Sequence, residues 1–169
     1  MIIRKANKED SLNLAALSIQ VWLHTYAATG IRTEISRYIF DTFTQKYFEK
    51  SIENPDSQIL VATKDNHLIG YIRAHFGSFW KDESNGYEID KLYVQNHFQG
   101  RGLGKRLLNE ISTQYGGTFW LSTWKYNHHA IAFYKHLGFI EIGTRYFQFE
   151  GEAHENCVLA INPGYGAFL

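Results

Sequence analysis

Residues 99–106 read Gln99-Gly100-Arg101-Gly102-Leu103-Gly104-Lys105-Arg106, directly after a strand-like segment and at the head of an amphipathic helical pattern. A junction of this kind binds phosphate. The first turn of a helix carries backbone N–H groups without intrahelical partners, and the macrodipole adds partial positive charge there. Gly100, Gly102 and Gly104 remove Cβ atoms from the lining so that an anion can approach the backbone, while Arg101, Lys105 and Arg106 bring mobile charge. The expected ligand is a di- or polyphosphate. A Walker loop is excluded because Lys105 is followed by Arg106 where Ser or Thr is required, and the glycine spacing departs from the G-x-G-x-x-G dinucleotide fingerprint. On this run alone, the alternative is a glycine-rich turn before a solvated basic helix start.

Length and charge narrow the class. With 169 residues, 44% hydrophobic and 20% charged, the chain suits a single globular domain over 1–169 and has no room for a second. Seventeen basic and seventeen acidic side chains cancel, which argues against a nucleic-acid or membrane-surface binder and for a small-molecule partner. The single Cys157 excludes an intrachain disulfide framework, and Met1-Ile2-Ile3-Arg4-Lys5 lacks the apolar stretch of a secretory signal, so a cytoplasmic location is expected. No run approaches the roughly 20 apolar residues of a membrane span.

Periodicity and punctuation then order the elements. Residues 2–5 read as a strand, and Asn7 with Asp10 forms a helix cap ahead of Leu12, Ala15, Ala16, Ile19 and Trp22. A second helix is expected over about 33–51, with Ile35, Ile39, Phe43, Tyr47 and Phe48 on one side. Strand-like runs at 58–63 and 67–76 flank a hairpin-type turn, Lys64-Asp65-Asn66. Residues 87–94 alternate as a strand, the glycine run follows, and Leu103, Leu107, Leu108 and Ile111 mark a helix ended by Gly116-Gly117. After a β-rich run at 118–124, Asn127 caps a helix stopped by Gly138. Runs at 139–150 and 156–161, joined through 151–154, close the chain as an antiparallel hairpin.

Read with Leu92-Tyr93-Val94 before it, the glycine run resembles the Q/R-x-x-G-x-G/A acetyl-CoA pyrophosphate loop of the GNAT acetyltransferase superfamily, with Gln99, Gly102 and Gly104 in the pattern positions. A second block, from Asn127 through Ala130, Phe133 and Tyr134 to Gly138 and Phe139, resembles the family's N-x-x-A-x-x-F-Y-x-x-x-G-F signature. The two motifs stand in family order, and the element order β-α-α-β-β-β-α-β-α-β-β extends the resemblance over essentially the whole chain. It implies an α/β (α+β) architecture, the GNAT acyl-CoA N-acyltransferase fold, with a central, mostly antiparallel sheet flanked by helices.

The resemblance also implies roles. Acetyl-CoA (CoA) is the expected donor, held by Leu92, Tyr93, Val94, Gln99, Gly100, Arg101, Gly102, Leu103, Gly104, Lys105, Asn127 and Tyr134. The strand at 92–94 is expected to splay from its neighbour at 118–124 and bind pantetheine. The amides of Leu92 and Tyr93 would then form an oxyanion hole, worth roughly 3–4 kcal/mol in other acyl-transfer enzymes. Tyr134 matches the tyrosine whose phenol protonates the leaving thiolate in many members, a task suited to a group with an ordinary pKa of about 10. The alternative for Tyr134 is an aromatic on a buried helix face, and for Asn127 a helix cap without ligand contact. Glu88 lies where several members place a strand glutamate that deprotonates the acceptor, often through water, and Asp90 on the same strand face is its rival. Proton transfer from an amine near about 10.4 to a carboxylate near about 4.3 is uphill, so burial or a water relay is required. Exposed or salt-bridged carboxylates are the alternative at both positions.

Segments 18–26, 88–94 and 120–124 resemble the bacterial polyamine acetyltransferase (PaiA-like) subgroup, which makes Trp22, Tyr26, Glu88 and Trp124 acceptor-binding candidates. Aromatic faces and carboxylates both favour ammonium groups, and burial in the core is the other reading of such rings. The eight histidines show no metal-ligand spacing, so no metal is expected. No G-x-S-x-G elbow is present and Cys157 stands in no nucleophile motif, which favours direct transfer over a covalent enzyme intermediate. The expected function is acetyl-CoA-dependent N-acetylation of a small primary amine, a polyamine among them. Acetylation of a protein Nα or Lys group is the alternative within enzymes, and a non-catalytic CoA-binding sensor or interaction module is the alternative of another class. A homodimer through sheet edges or the segment 164–169 is also expected.

Overall fold

The computed structural model describes residues 1–149 and 151–161. In chain order the elements are β1 (Ile2–Lys5), α1 (Ser11–Tyr26), α2 (Thr33–Thr42), α3 (Gln45–Glu53), β2 (Ser57–Lys64), β3 (His67–His75) and β4 (Tyr87–Val94). They continue with α4 (Leu103–Tyr115), β5 (Phe119–Trp124), α5 (His128–His136), β6 (Ile140–Phe149) and β7 (Glu152–Ile161). Seven strands hydrogen-bond in the order β1-β2-β3-β4-β5-β7-β6. The pairs β1–β2, β5–β7 and β6–β7 are antiparallel, and β4–β5 is parallel.

The chain divides into two compact units, one of Met1–Ala74 and Lys91–Ile111, the other of His75–Asp90 and the described residues from Ser112 onward. In the first, β2 and β3 bury consecutive residues, 59–62 and 69–72, as strands covered on both faces do. Helix α1 packs on α2 and α3, and α3 on β2. Helix α4 contributes the buried stripe Leu103, Leu107, Leu108 and Ile111. In the second unit, Phe119, Trp120 and Leu121 of β5 are buried together with Val158, Leu159, Ala160 and Ile161 of β7. Trp80 and Ile142 pack against the cluster of Trp120, Val158 and Ala160.

Two sequence expectations require correction. The single helix expected over 33–51 is two helices, broken at Phe43-Thr44. Thr44 takes an extended conformation and its side chain accepts the Tyr47 N–H at 3.1 Å, so the chain is recapped there. Phe43, 4% exposed, fills the core at the break. The apolar spacing reads alike for one helix or two because Ile35 and Ile39 before the break and Phe48 after it are all buried. The loop expected at 151–154 is also largely strand, since β7 begins at Glu152 and pairs Phe149↔Glu152, Gln148↔Ala153 and Phe147↔His154. Ala153 is exposed, and a solvent-facing strand in a hairpin is held by backbone pairing rather than by apolar alternation. Glu150 and residues 162–169, which include the segment expected to support a dimer, lie outside the described residues.

Candidate functional site

The glycine run follows β4 after a single 3-10 turn, Asn96–Phe98, and leads into the first turn of α4. Gln99 Nε2 donates to the Val94 carbonyl at 3.0 Å and to Asn96 Oδ1 at 3.2 Å, which ties the loop back to the end of β4. Gly100 and Gly102 have φ of 71° and 75°, in the region that side chains rarely adopt. A Cβ at either position would meet nothing within 4 Å, so conformation rather than crowding requires glycine. The first turn of α4 carries no acidic residue. Arg101 lies over the Phe98 ring, Cζ to centroid 5.7 Å, and Gly104 and Lys105 are half-buried in the first turn. Leu103 is 3% exposed; its side chain anchors the loop in the core, and its backbone is what it can offer a ligand. An exposed helix N-terminus without carboxylates, flanked by cations, fits a pyrophosphate.

Leu92, Tyr93 and Val94 are half-buried in the C-terminal half of β4. The Tyr93 ring meets the Tyr71 ring edge-on at 5.5 Å. Tyr71 is fully buried, with its hydroxyl 2.7 Å from Ser18 Oγ, which itself donates to the Leu14 carbonyl at 2.6 Å. Gly70 on β3 sits so close to this strand that an added Cβ would lie 3.0 Å from the Tyr93 carbonyl oxygen and 3.3 Å from Leu103 Cδ2. Its signal in the sequence was an isolated glycine inside a strand pattern. On α1, Trp22 is 7% exposed, with the Tyr26 and Tyr38 rings 4.5 and 4.8 Å away. Of the two acceptor candidates on this helix, only Tyr26 reaches the surface, and Trp22 supports it from the core.

In the second unit, Glu88 stands on β4 in parallel register with Trp120 on β5. It is a buried carboxylate that accepts the Ser78 hydroxyl at 2.6 Å on Oε2 and Arg145 NH1 at 3.2 Å on Oε1. The Arg145 guanidinium lies over the Trp120 ring at 5.8 Å. Trp120 Nε1 donates to the Ser78 carbonyl at 3.2 Å and closes the group. Neither Arg145 nor Ser78 was anticipated. They lie 57 and 10 residues from Glu88, and no local pattern announces a partner at such separations. Asp90 is half-buried, two residues along β4.

Tyr134 on α5 is 8% exposed, its ring 5.2 Å from that of Phe133 and 5.3 Å from that of Phe139. Burial pushes its phenol well above the usual tyrosine range. Asn127 Oδ1 accepts the Ala130 N–H at 3.2 Å, the bond of a helix cap. Trp124 is half-buried and meets the Tyr126 ring edge-on at 5.2 Å. Among the described residues, no group of three His, Cys, Asp or Glu converges as a metal ion would require.

Residues 26–139, which contain both the glycine run and the block from Asn127 to Phe139, match the Acetyltransferase (GNAT) family. The chain belongs to this family. It is 29% identical over 114 residues to the N-alpha-acetyltransferase RimI of Mycobacterium tuberculosis, covering 66% of this chain and 71% of that protein. It is 29% identical over 99 residues to a probable spermine N(1)-acetyltransferase of Bacillus subtilis subsp. natto, covering 54% and 60%. The fold is similar to that of the PaiA N-acetyltransferase of Thermoplasma acidophilum in complex with coenzyme A, with a TM-score of 0.70 at 23% identity over 92% of this chain and 96% of that one. As a GNAT member the protein is an N-acetyltransferase that takes acetyl-CoA as donor. Among the described residues no helix is long and apolar enough to cross a membrane.

Proposed function

We propose that this GNAT enzyme, a single catalytic domain over 1–169 acting in the cytoplasm, acetylates a small primary amine by direct transfer. The observation that carries the reading is Glu88, a buried carboxylate held on β4 by Ser78 and Arg145. The donor contributes an acetyl thioester. The α4 N-terminus with Gln99, Gly100, Arg101, Gly102, Gly104 and Lys105 holds its pyrophosphate, and the Leu92 and Tyr93 amides polarise the thioester carbonyl. Glu88, with Asp90 as its rival, receives a proton from the acceptor through water. The neutral amine nitrogen forms the new C–N bond, the C–S bond breaks, and Tyr134 gives its phenolic proton to the leaving sulfur. The acylated nitrogen sheds its second proton to the phenolate and Glu88 releases the first to solvent, so an ammonium acceptor and a thioester give an amide, a thiol and one free proton. Burial holds the phenol above its usual range, so its proton is present at neutral pH and passes to sulfur only as the C–S bond breaks.

A polyamine is one acceptor class to test, supported by the spermine acetyltransferase relative and by Tyr26, which reaches the surface. A protein Nα amine is the second reading, favoured by the RimI relative and by the cation that Arg145 sets beside Glu88. A screen of polyamines, amino acids, peptides and arylamines for CoA release tests the proposal. Turnover that collapses in Glu88→Gln supports it, and CoA binding without release for any amine points instead to a sensor.

A further inference from the structure

Arg145 lies in no motif, yet it occupies one oxygen of Glu88, the carboxylate at which the acceptor amine arrives. Its side chain is 48% exposed against 11% for that of Glu88, so the pair spans from core to surface. The guanidinium is fixed on two sides, by the 3.2 Å bond to Glu88 Oε1 and by the Trp120 face at 5.8 Å. Trp120 is itself 1% exposed and held through its indole N–H by Ser78, the residue that binds the other oxygen of Glu88. A guanidinium presents its N–H donors in a rigid planar fork. With NH1 on Glu88 and nearly half the side chain exposed, the guanidinium keeps further N–H donors for an incoming molecule.

A fixed cation at this point discriminates by charge. An acceptor with a second ammonium close to the reacting amine is repelled, whereas one with an oxygen beside that amine gains a charge-assisted hydrogen bond. We infer that Arg145 is the acceptor-selecting residue of this enzyme, favouring amines flanked by a carbonyl or carboxylate oxygen, as in an amino acid or a peptide N-terminus, over polyamines. The inference rests on the proposed arrival of the acceptor at Glu88, and it resolves the choice of acceptor left between the two relatives.

The test measures kcat/KM by CoA release with spermidine, free alanine and a short peptide with an unblocked N-terminal alanine, for the wild type, Arg145→Gln and Arg145→Lys. The wild type is expected to prefer an oxygen-flanked amine. In Arg145→Gln the preference over spermidine falls about tenfold, mainly through the acceptor KM, while the KM of acetyl-CoA is unchanged. Arg145→Lys keeps the charge but loses the fork and the stack, so its preference falls between the two; it decides the matter if the Gln variant does not fold. The free amino acid and the peptide differ in carrying a carboxylate or an amide carbonyl, and their ratio identifies which source the site takes. A wild-type preference for spermidine, or an equal loss for all three acceptors in both variants, overturns the inference while leaving acetyl transfer intact. Absence of turnover with every amine overturns both.

Discussion

At Tyr134 burial governs the chemistry. Its ring lies against Phe133 and Phe139 and its phenol is pushed well above the usual range, so it stays protonated throughout the working pH of an enzyme. Tyr134→Phe keeps the packing and removes the proton. The expected outcome is a fall in kcat of about 100-fold, with the KM of acetyl-CoA and the thermal midpoint close to wild type; an unchanged kcat in a CoA-release assay would assign protonation of the thiolate to water. Gly102 poses the opposite problem, because a Cβ there has room but its φ of 75° does not suit a side chain. Gly102→Ala is expected to cost about 1 kcal/mol and, with the proposed pyrophosphate site at this loop, to weaken acetyl-CoA binding several-fold by turning its amides. Titration of CoA by calorimetry, beside thermal unfolding, separates the two effects.

Among elements, the approach of β3 to β4 and α4 depends on Gly70. With a Cβ only 3.0 Å from the backbone oxygen of Tyr93, Gly70→Ala forces β4 rather than a flexible side chain to give way. The expected cost is about 1–3 kcal/mol in thermal or denaturant unfolding, accompanied by a raised KM for acetyl-CoA. A variant as stable as wild type would show that the strand yields freely. Most elements were legible because their punctuation is local: Asn127 caps α5 and Gly138 ends it, and the glycines at 100 and 102 separate β4 from α4. The break between α2 and α3 was not, since the residues on either side of it bury the same stripe and only the Thr44 cap marks it. The start of β7 was hidden for a related reason, because a hairpin is held there by pairing with β6, which side-chain polarity does not report.

For the whole molecule, equal numbers of acidic and basic side chains leave pH sensitivity to particular groups. Burial alone would raise the Asp10 carboxyl, but the Arg4 guanidinium at 2.7 and 2.8 Å and the Asn7 N–H at 2.8 Å outweigh it and hold it below the usual range. A carboxylate depressed in the fold contributes stability above its unfolded pKa of about 3.9 that is lost as pH falls through the folded value. Tyr87 and Tyr134 are raised, in both cases chiefly by burial, so their contribution is present below about pH 10 and is lost as pH rises above it. Thermal midpoints are therefore expected to fall below about pH 4 and above about pH 10, and Arg4→Gln should remove part of the acid limb only. The element order apart from the break between α2 and α3, the conformation of the glycine loop, and the placing of Glu88 on a strand and Tyr134 on a helix were determined by the sequence itself, because spacing, glycine chemistry and capping act within a few residues. The pairing of Glu88 with Arg145, the placement of Trp22 in the core and the burial of Tyr134 were decided only by the tertiary structure. Ion pairs and desolvation depend on which strands become neighbours, and the order β4-β5-β7-β6 brings a β6 side chain to a β4 carboxylate that local sequence does not connect.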